Sequence, residues 1–119
     1  MHLNVERFGV YLRVVSLEQS RAFYERVLGK QPYVANDRLV AFELAGGMLA
    51  LFEDGDEQQV RGRNAVPYIR VSDAIVEFDR LQRLGIRLHD EQVLVEGPIK
   101  LFRCSDPDGN MLEIFSLLR

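Results

Sequence analysis

The sequence predicts an α+β fold in which one strand–helix–strands unit occurs twice. Three matches carry this prediction. Tyr11-Leu12-Arg13-Val14 reappears as Tyr68-Ile69-Arg70-Val71, an offset of 57 from 11 to 68. Leu28-Gly29 returns as Leu84-Gly85 with an offset of 56. Met48-Leu49-Ala50-Leu51-Phe52 returns as Met111-Leu112-Glu113-Ile114-Phe115 with an offset of 63. The matched segments keep their order, and the offset drifts only through short insertions, as duplication requires.

Each element has a local reason. Residues Phe8 to Val15 are rich in Val, Leu and aromatic side chains and read as a strand. Ser16 suits a helix N-cap, because its hydroxyl can accept from a free N–H of the first turn. Leu17, Ala22, Phe23, Val27 and Leu28 then recur at roughly helical spacing. Gly29 suits the left-handed stop after that helix. Strands are expected at Pro32–Ala35, Leu39–Leu44 and Met48–Phe52, with tight turns at Asn36-Asp37 and Gly46-Gly47. Glu53 to Asn64 has little to bury and reads as an exposed linker.

The pattern then restarts. Ala65–Val71 is a strand, and Ser72 or Asp73 caps a helix with apolar residues at Ala74, Ile75, Phe78, Leu81 and Leu84. Gly85 ends it. Strands are expected near Ile86–Leu88, Val93–Glu96, Ile99–Cys104 and Met111–Leu117. Asp106-Pro107-Asp108-Gly109-Asn110 makes the last sharp turn.

Composition bounds the function. The chain has 119 residues, 47% hydrophobic and 28% charged, which suits one globular domain over residues 1–119. Its formal net charge of -3 and scattered Lys and Arg give no general attraction to nucleic acid or anionic lipid. Cys104 is the single cysteine, so neither an intramolecular disulfide nor a Cys-based zinc site is expected. Met1 to Arg7 lacks the apolar run of a signal peptide, and no segment approaches the ~20 apolar residues of a membrane span. The expected location is the cytoplasm.

The segment Leu17-Glu18-Gln19-Ser20-Arg21-Ala22-Phe23-Tyr24-Glu25-Arg26-Val27-Leu28-Gly29, following a strand, resembles the first module of the vicinal oxygen chelate superfamily. The tail Phe102-Arg103-Cys104-Ser105-Asp106-Pro107-Asp108-Gly109-Asn110-Met111-Leu112-Glu113-Ile114-Phe115 resembles its closing signature. That superfamily includes glyoxalase I, fosfomycin-resistance enzymes, extradiol dioxygenases and bleomycin-resistance proteins. The resemblance implies two tandem βαβββ modules, about 6–54 and 64–118, forming curved mixed sheets with helices on the convex side. It also implies a cleft on the concave side and pairing of modules within or between chains, hence a homodimer.

The resemblance further implies a divalent metal held from the first and last strand of each module. Those positions fall on Gly9, Ala50, Val66 and Glu113, and only Glu113 carries a donor. One carboxylate is too few for a catalytic ion, which takes about three protein ligands. Shifting the first strands by one residue offers Phe8, Val10, Ala65 or Pro67, none a ligand. His2 lies in the N-terminal tail and His89 follows the second helix, away from these positions. The expectation is no metal and no cofactor.

Strand alternation assigns Val10, Leu12, Val14, Ile69 and Val71 to the helix side. The opposite face carries Tyr11, Arg13, Tyr68 and Arg70, with Phe52, Phe115 and Glu113 from the last strands. An apolar, aromatic lining with a few polar groups suits a small molecule. The tyrosines could stack on a planar ligand, the arginines could hold a carboxylate or phosphate, and Glu113 could accept from an amine or act as a base. Plainer roles compete. Arg13 and Arg70 could pair with cross-strand glutamates, the tyrosines could belong to a dimer interface, and Glu113 could be the remnant of a metal site. His89 reads as a surface or strand-end residue, and Cys104 as a buried apolar one. Asp54 to Glu57 lacks the spacing of a calcium loop.

The expected function is metal-free binding of a small organic molecule. Its rivals are a metal-dependent lyase, isomerase or dioxygenase, a metal-free enzyme with Glu113 as base, and a subunit whose cleft is filled by its own side chains.

Overall fold

The computed structural model describes residues 6–53 and 65–118. The chain divides into two compact units, Met1–Gly62 and Arg63–Arg119. Apart from Glu53, the expected linker lies outside the described residues, as does His2.

The first unit runs β1 (Gly9–Val14), α1 (Leu17–Leu28), β2 (Val34–Ala35), β3 (Leu39–Leu44) and β4 (Gly47–Glu53). Its sheet has the order β1-β4-β3-β2, with β1 and β4 parallel and the other pairs antiparallel. Helix α1 starts where Ser16 Oγ accepts from Gln19 N–H at 3.2 Å. It stops where Gly29 enters the left-handed region at φ 67° and its N–H donates to Glu25 O at 2.9 Å. Helix α1 packs on β3 and β4. Leu12, Val14, Phe23, Tyr24, Val27, Val40, Phe42, Leu49 and Leu51 form the core beneath it. Tyr24 is fully buried, with Phe23 edge-on at 4.9 Å and Phe42 at 6.4 Å.

The turn between β3 and β4 differs from the expected Gly46-Gly47. Leu44 pairs with Gly47, so the two central residues are Ala45 (φ 50°) and Gly46 (φ 87°). Both are left-handed, as a two-residue hairpin of matching twist demands. Gly47 answers a different need. A Cβ there would stand 2.9 Å from Phe8 O, the carbonyl that accepts from Met48 N–H.

The second unit runs β5 (Tyr68–Arg70), α2 (Ala74–Arg83), β6 (Arg87–Leu88), β7 (Leu94–Glu96), β8 (Ile99–Ser105) and β9 (Met111–Leu117). Its sheet has the order β5-β9-β8-β6, with β7 also on β8 and only β5–β9 parallel. Asp73, rather than Ser72, caps α2, its carboxylate accepting from Ile75 and Val76 N–H. Helix α2 packs on β8 and β9. Phe78 meets Phe102 edge-on at 5.2 Å among buried Leu81, Ile86, Cys104, Leu112 and Ile114. Ile75 and Leu84 are exposed and lie off this apolar face. The turn at 106–110 is organised by buried Asp106, which accepts from Asp108 N–H, Asn110 N–H and Asn110 Nδ2 at 2.8–2.9 Å.

Among the described residues both units are mixed sheets with one helix each, as expected for the fold class. The second departs from βαβββ in one place: β6 and β7 share the edge that β2 alone occupies in the first unit. The interruption falls at Asp90. Its side chain takes the N–H of Arg103 at 2.9 Å, a bond that a ladder carbonyl would otherwise accept. The first strands are also shorter than expected. The strand begins only at Tyr68: Pro67 has no N–H to give, and only its carbonyl joins the pairing, accepting from Glu113 N–H at 3.0 Å. Among the described residues no helix is long and apolar enough to cross a membrane.

Candidate functional site

The two faces of each sheet separate by alternation. In β1, Leu12 and Val14 are buried while Gly9, Tyr11 and Arg13 are exposed. In β5 the order is exposed, half-buried, exposed over Tyr68, Ile69 and Arg70. Residues directly across from one another share a face, so register defines rows on the side away from the helix.

In the first unit one row is Tyr11–Ala50–Ala41 and the next is Arg13–Phe52–Leu39. Tyr11 and Phe52 meet edge-to-face at 6.3 Å. The Arg13 guanidinium lies 5.9 Å from the Tyr11 ring centre, and that of Arg38 lies 5.5 Å from Phe52. A further row, Gly9–Met48–Glu43, ends in the exposed ion pair Arg7–Glu43 at 3.4 Å.

In the second unit the matching rows are Tyr68–Glu113–Arg103 and Arg70–Phe115–Leu101. Tyr68 and Phe115 repeat the edge-to-face contact at 5.8 Å. The aromatic pair is thus common to both copies. The row beside it is not: Ala50 and Ala41 of the first copy are replaced by Glu113 and Arg103 in the second.

Arg103 is held in place from its far side. Asp90 accepts from its backbone N–H at 2.9 Å and from Nη2 at 3.1 Å. The hydrogen bond and charge of Asp90 hold the guanidinium pKa above its ordinary value, and the Glu113 charge adds to this. The Arg103 Nε is buried and without a partner among the described residues. Glu113 is half-buried, and its carboxylate accepts no hydrogen bond among the described residues. His89, just past β6, donates its N–H to Arg103 O at 2.8 Å, and its ring Nε2 bonds to buried Ser105 Oγ. It therefore stands on the β8 side of Arg103, one strand further from Glu113.

The structure thus brings together Tyr11, Arg13 and Phe52 in one unit, and Tyr68, Arg70, Glu113 and Phe115 in the other. Sequence reasoning missed Arg103 and Asp90. The signal for Arg103 was present: the hairpin around 106–110 pairs Ser105 with Met111, so counting back two residues sets Arg103 opposite Glu113. The Asp90 contact had no such signal, because it spans 13 residues across an interrupted edge.

The metal-ligand positions implied by the resemblance can be tested on this geometry. Gly9, Ala50 and Val66 have no donor atoms. A Cβ at Gly9 would stand 3.1 Å from both Met48 Cβ and Met48 O, a tight contact that a side chain there would relieve only by a small shift of Met48. Among the described residues no group of three His, Cys, Asp or Glu could hold a metal ion. The residues present do not fit a divalent centre.

The family profile for the Glyoxalase/Bleomycin resistance protein/Dioxygenase superfamily matches residues 2–114. This chain belongs to that superfamily. Solved members share its fold at low identity. A glyoxalase/bleomycin resistance protein/dioxygenase from Nocardioides is 20% identical, with a TM-score of 0.78 over 100% of this chain and 87% of its own. A glyoxalase/bleomycin resistance protein from Catenulispora acidiphila is 15% identical, with a TM-score of 0.78 over 96% and 100%. A lactoylglutathione lyase from Agrobacterium tumefaciens is 21% identical, with a TM-score of 0.73 over 92% and 91%. At these identities the superfamily fold is shared, and the site must speak for function.

Proposed function

We propose that this superfamily member binds a small organic molecule on the sheet faces opposite α1 and α2, without a metal ion, as a cytoplasmic homodimer. The observation that carries the reading is the Tyr68–Glu113–Arg103 row. Its carboxylate stands where the superfamily would place a metal ligand, yet its neighbour is a guanidinium rather than further metal donors. A fixed cation offers directional hydrogen bonds and needs no ion to be loaded. Each unit supplies its own apolar, flat contact area, Tyr11–Phe52 in the first and Tyr68–Phe115 in the second, with Arg13 beside the one and Arg70 and Glu113 beside the other to orient a ligand.

The test is a thermal-shift screen of planar aromatic compounds in EDTA, with elemental analysis of protein purified without chelator. Binding that EDTA leaves intact supports the reading. A stoichiometric divalent ion whose removal abolishes binding overturns it. A second reading, a metal-free enzyme with Glu113 as base, is favoured by the cation opposite Glu113, which could steady a developing oxyanion. It requires turnover that Glu113→Gln abolishes while ligand affinity persists.

A further inference from the structure

The Glu113–Arg103 row says what kind of group the ligand carries. A carboxylate offers only acceptors and a guanidinium only donors. The two stand directly across from each other on adjacent antiparallel strands. Among the described residues no hydrogen bond joins them. Asp90 occupies Nη2 of Arg103, the buried Nε has no acceptor, and the Glu113 carboxylate has no donor. Glu113 is half-buried and the Arg103 side chain is 36% exposed, so a ligand can reach this pair and exchange water for fixed hydrogen-bond partners. The first copy is a built-in control. It keeps the tyrosine of this row and the phenylalanine of the next but has Ala50 and Ala41 where the second has Glu113 and Arg103.

From this we infer that Glu113 and Arg103 form a metal-independent recognition pair for a planar group with a donor and an acceptor side by side, such as a primary carboxamide or a lactam. The N–H of that group donates to Glu113 and its carbonyl accepts from Arg103. Its flat body lies against Tyr68 and Phe115. A carboxylate ligand satisfies Arg103 but is repelled by Glu113; an ammonium satisfies Glu113 but is repelled by Arg103. Of these three single groups, the neutral donor–acceptor group meets both. This inference rests on the binding reading above and names the ligand class at the same site.

The experiment is titration calorimetry in EDTA with three probes of one shape: 2-naphthamide, methyl 2-naphthoate and 2-naphthoate. The amide is expected to bind about tenfold more tightly than the ester or the carboxylate, a difference of about 1.4 kcal/mol. In Glu113→Ala the preference for amide over ester should shrink to within about threefold, because the amide N–H loses its acceptor; in Arg103→Ala amide and ester should both weaken, because each carbonyl loses its donor. Glu113→Ala copies the residue that the first unit carries at the matching position, so it tests the pair even if Arg103→Ala disturbs the Asp90 contact. Equal affinity for amide and ester in the parent protein, or a preference that survives Glu113→Ala, overturns the inference and leaves metal-free binding standing. Failure of all three probes to bind at millimolar concentration removes the binding reading itself for aromatic ligands.

Discussion

Replacing Ser116 with alanine should destabilise the protein more than removing its charged counterpart, Glu53. Each unit closes the first turn of its helix with a side chain from its last strand. Glu53 Oε1 accepts from Leu17 N–H at 2.9 Å, and Ser116 Oγ accepts from Ala74 N–H at 2.9 Å. Burial decides the ranking. Ser116 is 2% exposed and Ala74 0%, so Ser116→Ala leaves a donor that water cannot reach. Orphaning a buried donor costs roughly 1–3 kcal/mol, and losing a cap roughly 0.5–2 kcal/mol, so the two ranges overlap at about 1–2 kcal/mol. Glu53 is exposed, and water can replace it at the helix end, so Glu53→Ala should cost about 0.5–1 kcal/mol. Urea unfolding followed by far-UV circular dichroism reads both. The melting temperature of Ser116→Ala should fall by about 5–10 °C. A Ser116→Ala loss below about 0.5 kcal/mol, or a larger loss in Glu53→Ala, refutes the argument that burial outweighs charge at these caps.

Other perturbations follow from single contacts. Ala45 sits at φ 50°, where a side chain is strained, so Ala45→Gly should stabilise the protein by about 1 kcal/mol in the same urea assay. Asp106→Ala removes three hydrogen bonds from a buried turn and should cost about 2–4 kcal/mol, with the β8–β9 amides losing protection in hydrogen exchange. Burial, helped by the Asp106 charge, pushes the Cys104 thiol up to about 12 from 9.0. The thiol therefore stays protonated in the folded protein while the unfolded chain ionises. Its contribution is fully present below pH 9.0 and is lost as pH rises from there towards about 12, a slope that Cys104→Ala should remove. Native protein should react with a disulfide reagent at pH 8 only as fast as it unfolds.

The sequence determined the fold class, because its signals are local. Ser16 and Gly29 bracket α1, alternating side chains sort each first strand, and the repeated Tyr-x-Arg and Met-Leu segments announce two copies. It also determined that three of the four positions that the family resemblance assigns to metal ligands have no side-chain donor. The aromatic pairs Tyr11–Phe52 and Tyr68–Phe115 were foreseeable from parity once the strands were placed. The tertiary structure decided the rest. Register across β8 and β9 set Arg103 opposite Glu113, and the side chain of Asp90 broke the edge strand to hold that arginine. The close approach of β1 to β4 at Gly9 became visible only with both strands in place. Such pairings depend on which strands become neighbours and where a ladder is interrupted. Those are properties of hydrogen bonds between distant segments, and no short-range pattern encodes them.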